Sequence, residues 1–131
     1  MRTRQYRSIK AWQLADELTF GIYEVTKSFP KEELYGLVSQ MRRASVSVPA
    51  NIAEGAARAS RKEYLQFLSI ARGSLAELRY YVHLANRLGY LVNDRYAQLD
   101  LLGDEVARVL HGLMESIDQA IADGVFVPTK V

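Results

Sequence analysis

The sequence has 131 residues, of which 49% are hydrophobic and 24% are charged, and it contains three prolines and no cysteine. This size and balance predict one globular domain over residues 1–131 and exclude a collagen-like chain, a disordered tail and a multidomain enzyme. The lack of cysteine excludes disulfides, thiolate metal sites and a cysteine nucleophile. The longest uncharged run, residues 44–53, is far shorter than the roughly 20 residues of a membrane span. We therefore expect a cytoplasmic protein that makes no membrane contact.

The first two predicted helices cover residues 9–29 and 35–59. In the first, apolar residues such as Leu18 and Ile22 recur every three or four positions, and Pro30 ends the pattern. The second follows a polar loop and keeps the same spacing. Its apolar seam consists of Leu37, Met41, Ala44, Val48, Ile52 and Gly55.

The third and fourth predicted helices cover residues 61–88 and 94–123. Ser60 and Glu63 have the spacing of a capping box, in which a serine hydroxyl and a glutamate carboxylate accept hydrogen bonds from backbone N–H groups at a helix start. Gly89 predicts a left-handed end for the third helix, and Asn93 predicts a side-chain cap for the fourth.

Short connections between four helices make consecutive helices run back along each other. The sequence therefore predicts an all-α fold, an up-down-up-down antiparallel four-helix bundle. Glycines inside a helix each cost about 1 kcal/mol relative to alanine, so their presence indicates close helix packing. The five concerned are Gly21, Gly55, Gly73, Gly103 and Gly112.

The second predicted helix lacks a polar face. Between residues 44 and 57, Glu54 is the only charged residue and Asn51 the only amide. Each helix of a four-helix bundle keeps an outer face, so this composition favours a second contact surface, most simply a homo-oligomer. The alternative is that the tails of the chain cover the helix. The predicted interface comprises Ser45, Pro49, Ala50, Ala53, Ala56 and Ala57.

Pro49 predicts a local irregularity within the second helix. It removes one backbone donor and clashes with the carbonyl of Ser45, four residues earlier. We therefore expect a kink or a bulge at this position.

Catalytic patterns of helical bundles do not occur in the sequence. Metal-binding bundles use two Glu-x-x-His motifs, and neither His83 nor His111 has a glutamate three residues earlier. Neither histidine has an arginine at the Arg-x(4–6)-His spacing of helical ribonucleases, and glycine-rich phosphate loops are absent. We expect a non-enzymatic protein without a metal or a cofactor.

Polar residues on the second and third predicted helices have two interpretations. Asn51 and Glu54 lie three positions apart, and Ser74 and Glu77 have the same spacing on the neighbouring helix. Together they could form a polar site. The favoured interpretation is that each finds a backbone or arginine partner and fixes the helix register.

Charge is unevenly distributed along the chain. Residues 1–87 contain 14 Lys or Arg against eight Asp or Glu, whereas residues 88–131 contain three against seven. Twelve of the 17 basic residues are arginine, which binds phosphate through a planar fork. One interpretation is a surface for nucleic acid, and the other is a set of ordinary solvated helix faces.

In the predicted topology, the starts of the first and third helices and the end of the second share one end of the bundle. The basic residues predicted there as phosphate contacts are Arg2, Arg4, Arg7, Lys10, Arg58, Arg61 and Lys62. Second choices are Arg42, Arg43, Arg72 and Arg79. Tyr6, Trp12 and Tyr64 would add stacking surfaces, a combination that suits RNA, although Trp12 and Tyr64 also fit a core.

Three segments carry a family resemblance. Residues 27–55 contain Arg-Arg, Ser-Val-Pro and Asn-Ile-Ala-Glu-Gly, residues 70–78 end in Gly-Ser-Leu-Ala-Glu-Leu, and residues 88–91 read Leu-Gly-Tyr-Leu. At these spacings, residues 6–91 resemble the bacterial four-helix-bundle proteins encoded in intervening sequences of 23S rRNA genes. The fourth predicted helix resembles that family only in general character, and Ala56-Ala57-Arg58 departs from its pattern.

The resemblance implies a small homo-oligomer, commonly a pentamer, with a basic surface for RNA or DNA. It also implies a relation to the accessory protein of diversity-generating retroelements, which partners a reverse transcriptase. Two functions therefore remain open: a nucleic-acid-binding scaffold, and a protein-interaction adaptor such as an accessory subunit of that reverse transcriptase.

Overall fold

The computed structural model describes residues 6–124, which contain no β-strand. The four long helices are α1 Lys10–Thr26, α2 Ser39–Ala56, α3 Arg61–Arg87 and α4 Asn93–Ala122. Shorter turns are Tyr6–Ser8 and Lys31–Glu33, which are 3-10 turns, and Leu34–Val38, a π-helical turn. The predicted all-helical class with four helices is confirmed.

Each long helix packs against two others. α1 contacts α2 and α4, and α3 contacts α2 and α4. Between α2 and α3, Arg43 contacts Glu77, while Gly55, twelve residues further along α2, lies against Phe67, which precedes Glu77 in α3. These two helices therefore run in opposite directions. Because the helices contact one another in the cyclic order α1, α2, α3, α4, the α2–α3 pair lies opposite the α1–α4 pair.

The core is built from the predicted apolar seams. All four helices contribute side chains that are fully buried, among them Ile22, Ile52, Leu68, Leu78 and Val106. Burial of an aliphatic side chain of this size contributes about 1.5–3 kcal/mol. The helix spacing in the sequence therefore predicts the inward faces of α1 and α2 correctly.

The connection from α1 to α2 differs from the prediction. α1 ends at Thr26 because Pro30, four residues later, has no N–H for the Thr26 carbonyl, which accepts a hydrogen bond from the Phe29 N–H instead. The Glu33 carboxylate then accepts hydrogen bonds from the Leu37 N–H at 3.2 Å and the Tyr90 hydroxyl at 3.0 Å. These bonds hold the π turn, so regular α-helix begins at Ser39.

The predicted helix ends near α3 are largely correct. The Ser60 hydroxyl accepts a hydrogen bond from the Glu63 N–H at 3.1 Å, and Gly89 has a φ of 81°, as a left-handed helix end requires. Asn93 does not cap α4, because its side-chain oxygen accepts a hydrogen bond from the Asn86 amide at 2.9 Å instead. The cap prediction for Asn93 is therefore wrong.

Pro49 lies within α2 without interrupting it. The Ser45 carbonyl, which Pro49 leaves without its usual donor, accepts a hydrogen bond from the Thr19 hydroxyl of α1 at 2.7 Å. The irregular turn of this segment, Leu34–Val38, lies more than one helical turn before Pro49. Of the predicted kink or bulge at Pro49, the bulge is therefore wrong, and the missing bond is replaced from a neighbouring helix.

The helical glycines fall into two groups. A Cβ atom at Gly55 would lie 2.8 Å from the Phe67 Cβ, and one at Gly21 would lie 3.0 Å from Leu99, so these positions allow close approach. A Cβ atom at Gly73 or Gly112 would meet nothing within 4 Å. Close packing within the chain thus explains Gly21 and Gly55, and also Gly103, where a Cβ atom would lie 3.3 Å from the Arg79 Nε, but it does not explain Gly73 and Gly112.

Candidate nucleic-acid interface

The basic end of the bundle, defined here as the end that carries Arg7, Lys10, Arg58, Arg61 and Lys62, brings together the elements that the sequence assigns to it. The turn Tyr6–Ser8 packs against α1 and α2, and only four residues separate the end of α2 from the start of α3. Arg2 and Arg4 lie outside the described residues. The structure therefore places the five remaining first-choice residues on adjoining helix ends.

These five residues differ in the solvent exposure of their side chains and in their pairing with other groups of the chain. Arg7, Lys10 and Lys62 are exposed, and Arg61 is half-buried. Arg58 forms an ion pair with Glu54 at 2.7 Å, and its guanidinium lies 4.7 Å from the centre of the Phe67 ring. Arg58 is thus engaged within its own chain, which leaves the exposed cations as the stronger candidates for phosphate contacts.

The aromatic residues near the basic end offer less stacking surface than predicted. Tyr64 is buried, which matches the core interpretation of this residue and excludes it as a stacking surface. Tyr6 and Trp12 are half-buried and pack edge to face, with ring centres 5.1 Å apart. Arg7 lies 5.8 Å from the Tyr6 ring centre. The basic end is therefore a surface of charge more than of open aromatic faces.

Three second-choice arginines do not extend this surface. Arg43 pairs with Glu77 at 3.0 Å, and Arg79 pairs with Asp100 at 3.3 Å. Arg42 donates a hydrogen bond to the Thr26 hydroxyl at 2.9 Å and lies 4.6 Å from the Tyr23 ring centre. These three side chains join neighbouring helices.

Arg72 is exposed on α3, eleven residues from the start of that helix. It lies three turns of helix from the basic end. The four second-choice residues are therefore spread over several faces of the bundle and do not form one patch.

The polar residues between α2 and α3 form a chain of local contacts. The Asn51 amide donates to the Ser47 carbonyl, and the Ser47 and Ser74 hydroxyls lie 2.7 Å apart. The Glu77 carboxylate accepts a 2.7 Å bond from the Tyr81 hydroxyl, and this bond, with burial, raises the pKa of Tyr81. These contacts, together with the pairing of Glu54, match the interpretation that the polar residues fix helix register.

The predicted oligomer interface is only partly accessible. Ser45, Pro49 and Ala56 are buried by the chain itself, so we remove them from the predicted interface. Ala50 and Ala57 are exposed, and Ala53 is half-buried. The error arises because α2 is apolar on several sides and the spacing alone does not show which side meets the core.

Exposed apolar side chains were missed by the sequence reasoning. Phe20, Tyr35, Ile70 and Leu101 are all more than half exposed. Each falls outside the spacing of three and four that marks the core seams, and this was the signal that could have identified them.

Within residues 6–124, no group of His, Cys, Asp or Glu has the geometry to hold a metal ion. His111 lies 3.5 Å from Glu115 on the outer surface of α4, and His83 is also exposed. None of the helices in this range combines the length and apolar character that a membrane span requires.

The fold and its basic end define an all-helical bundle protein, and comparisons identify the family. A family model described as 23S rRNA-intervening sequence protein matches residues 7–112. The chain belongs to this family. The match extends into α4, beyond the residues 6–91 that carry the motif resemblance. A comparison with curated proteins finds no significant match.

Among solved structures, the chain is similar to a protein of unknown function from the S23 ribosomal protein family of Bacteroides thetaiotaomicron. The two chains are 22% identical and superpose with a TM-score of 0.74, over 79% of this chain and 97% of the other. At this identity the similarity establishes the fold alone.

Proposed function

We propose that the protein is a non-enzymatic, oligomeric scaffold that binds nucleic acid, most simply RNA, through its basic end. The observation that carries the proposal is the placement of Arg7, Lys10 and Lys62, all exposed, on adjoining helix ends beside Arg61. Phosphate contacts from such residues fix the position of a nucleic acid without reading its sequence. We therefore expect binding that depends little on sequence.

Assembly would strengthen this binding. In a homo-oligomer, and in the pentamer that the family resemblance suggests, each copy adds its basic end, and contacts with a continuous phosphate backbone reinforce one another. A small cytoplasmic scaffold of this kind needs no cofactor. Its partners would be other copies of itself and RNA or DNA.

The test is a titration of a labelled structured RNA, followed by fluorescence anisotropy, with nuclease-treated protein at about 50 and 200 mM salt. The test variant carries Arg7→Glu, Lys10→Glu and Lys62→Glu together. A control variant carries Lys31→Glu, Arg87→Glu and Arg108→Glu, which change the net charge equally at exposed positions away from the basic end. The quantity compared is the slope of the logarithm of the binding constant against the logarithm of the salt concentration. We expect its magnitude to fall by roughly three per protomer in the test variant, because about one unit is lost per phosphate contact.

The control variant should bind nearly as well as the unmodified protein. Equal weakening by both variants would show that net charge alone drives binding and would contradict the assignment to the basic end. Failure of the unmodified protein to bind RNA or DNA at about 50 mM salt would reject the proposal as a whole.

A second candidate is the adaptor role, and the opposite end of the bundle favours it. There the α1–α2 and α3–α4 connections meet through the Glu33–Tyr90 hydrogen bond. Tyr35 is 92% and Val92 64% exposed at this end, so two large side chains are open to contact with a partner. Such a surface suits a protein partner, for example a retroelement reverse transcriptase.

The adaptor role is tested by mixing purified protein with a reverse transcriptase encoded beside its gene and measuring complex formation. Tyr35→Ser with Val92→Ser should abolish the complex and leave RNA binding intact. If this double variant binds the enzyme normally, or if the unmodified protein never binds it, the adaptor role is excluded for that enzyme.

A further inference from the structure

An open depression of about 780 Å³ lies between α1 and α4. Its lining includes a strongly exposed aromatic side chain, Phe20, which is 69% accessible to solvent. Gly21 and Leu102 also line it. The volume falls in the range of roughly 300–1,000 Å³ that is typical of ligand pockets. The depression is therefore large enough to receive several groups of another molecule.

Two carboxylates lie next to Phe20 and define the acidic end of the depression. Asp16 and Glu17 precede Phe20 by four and three positions on α1, and all three residues line the depression. Side chains at these spacings are neighbours on a helix surface. In the part of the chain that the structure describes, neither of these exposed carboxylates forms an ion pair or a hydrogen bond. The ring and both carboxylates are thus available to a ligand.

The cations of the lining lie away from the acidic end. Lys27 is about 15 Å further along α1 and pairs with Glu24 at 3.2 Å. Arg95 precedes the α4 residue that contacts Gly21, and α4 runs antiparallel to α1, so Arg95 lies toward the Lys27 end. The depression is therefore negative at one end and positive at the other.

The chain itself shows which group binds an aromatic ring beside a carboxylate. The Arg58 guanidinium lies 4.7 Å from the Phe67 ring centre and pairs with Glu54 at 2.7 Å. The Arg42 guanidinium lies 4.6 Å from the ring centre of Tyr23, which is also part of the lining. In both cases the planar guanidinium stacks on the ring and keeps its N–H groups for an oxygen acceptor.

Phe20 has the same ring and neighbouring carboxylates, but within residues 6–124 no lysine or arginine lies over it. We propose that the depression binds an arginine side chain from a basic segment of a protein partner. The guanidinium stacks on Phe20 and donates hydrogen bonds to Asp16 or Glu17. This site is separate from the basic end and does not depend on nucleic-acid binding.

The rest of the lining favours an arginine within a peptide segment over a free amino acid. The depression is several times larger than one arginine side chain and extends past Leu102, which offers apolar contact to the stem of the arginine. At the far end, Arg95 is exposed and can pair with an acidic group of the same segment. The two ends therefore also orient the segment.

The test is the binding of a short fluorescent peptide of alternating arginine and glycine to nuclease-treated protein, measured by anisotropy. Salt is kept at about 50 mM to limit screening of exposed charges. Two further peptides carry lysine or citrulline in place of arginine. Lysine keeps the charge without the planar guanidinium, and citrulline keeps the planar shape without the charge. We expect the arginine peptide to bind most tightly.

The first variant removes the acidic end. Asp16→Asn with Glu17→Gln should raise the Kd of the arginine peptide roughly fivefold, through loss of two exposed ion pairs. Glu115→Gln with Asp118→Asn is the control, because it changes the net charge equally at exposed positions outside the lining. The control should bind the peptide nearly as well as the unmodified protein.

The second variant tests the ring. Phe20→Leu keeps an apolar side chain but removes the aromatic face, so the Kd of the arginine peptide should rise roughly threefold. Phe20→Tyr keeps the ring and should bind like the unmodified protein. All substituted positions are exposed, and circular dichroism should show an intact fold.

The proposal is overturned if the lysine or the citrulline peptide binds as tightly as the arginine peptide. Equal weakening by the two charge variants, or an unchanged Kd for Phe20→Leu, also overturns it, since net charge alone would then attract the peptide. Absence of binding by the arginine peptide overturns it as well. If Phe20→Leu in that case lowers the mass measured by light scattering, a second copy of the chain occupies the depression.

Discussion

Helix α2 meets its two neighbours in different ways. Against α1, the contact includes a part-buried hydrogen bond from Thr19 to the carbonyl of the buried Ser45, which Pro49 leaves without a backbone donor. Against α3, the contact combines a close approach at Gly55 with polar pairs that are open to solvent on one side. The α1–α2 contact thus replaces the hydrogen bond that Pro49 removes, whereas the α2–α3 contact sets the spacing and register of the two helices.

The difference indicates where substitutions should matter most. A buried carbonyl without a partner costs more than an exposed hydrogen bond contributes, because water replaces a lost partner only at the surface. Loss of the hydrogen bond to the Ser45 carbonyl should therefore lower the free energy of unfolding more than loss of any single polar pair between α2 and α3.

Thr19→Val should give the largest effect. It keeps the shape of the side chain and removes the donor to Ser45, so we expect the free energy of unfolding to fall by about 1–3 kcal/mol. Urea unfolding measures this change. Thr19→Ser, which keeps the hydroxyl, should cost clearly less.

A double-mutant cycle tests the reason for that effect. Pro49→Ala restores an N–H group that can bond the Ser45 carbonyl, so Thr19→Val should be less costly in the Pro49→Ala background. An equal cost of Thr19→Val in both backgrounds would show that the Thr19 hydroxyl does not replace the bond that Pro49 removes.

The glycines of the α2–α3 contact give the next effect. Gly55→Ala forces a Cβ atom to within 2.8 Å of the Phe67 Cβ. Overpacking of this kind costs about 1–3 kcal/mol, against a gain of about 1 kcal/mol in helix propensity. We expect a net loss of up to about 2 kcal/mol in the free energy of unfolding.

Gly73→Ala is the matched control, since a Cβ atom there meets nothing within 4 Å. It should stabilise the monomeric bundle by up to about 1 kcal/mol. Stabilisation by both substitutions in thermal or urea unfolding would contradict the view that Gly55 sets the distance between α2 and α3.

Much of the fold is predictable because helix periodicity is local. The core seams and the Ser60 cap depend on residues within a few positions of one another. The π turn before α2 is not predictable in this way, because it depends on Tyr90, which lies 57 positions from its partner Glu33. A contact between residues so far apart leaves no local pattern in the sequence. The predicted start of the second helix, residue 35, therefore lies before the observed start of α2 at Ser39.

The candidate site was less predictable for the same reason. The pairing of Arg58 with Glu54 has the spacing of four that a sequence shows directly. Arg43 and Arg79 find their acidic partners on other helices, 34 and 21 positions away. Net charge along the sequence therefore overstates how many arginines are available to a phosphate backbone.

A smaller effect is expected from the hydrogen bond between Ser47 and Ser74. Ser74→Ala removes one partner of a half-buried pair, so the free energy of unfolding should fall by about 0.5–1.5 kcal/mol. Ser69→Ala, at an exposed position of the same helix, is the control. Equal effects of the two substitutions in urea unfolding would mean that the serine pair contributes nothing to the α2–α3 register.

The smallest effect concerns Tyr81 and depends on pH. Its hydroxyl donates to Glu77, and this bond, with burial and the nearby negative charge, raises its pKa above the ordinary 10.0 while Arg43 opposes the shift. A raised pKa in the folded state means that the bond stabilises the fold fully below the unfolded value and is lost as pH rises through the folded value. Tyr81→Phe should therefore lower the free energy of unfolding at about pH 8, and the difference from the unmodified protein should shrink toward pH 11. Tyr90 also has a raised pKa through Glu33, but it is present in both proteins and cancels in the comparison. A difference that stays constant across this range would show that Tyr81 contributes by packing on α3 and not by its hydrogen bond to Glu77.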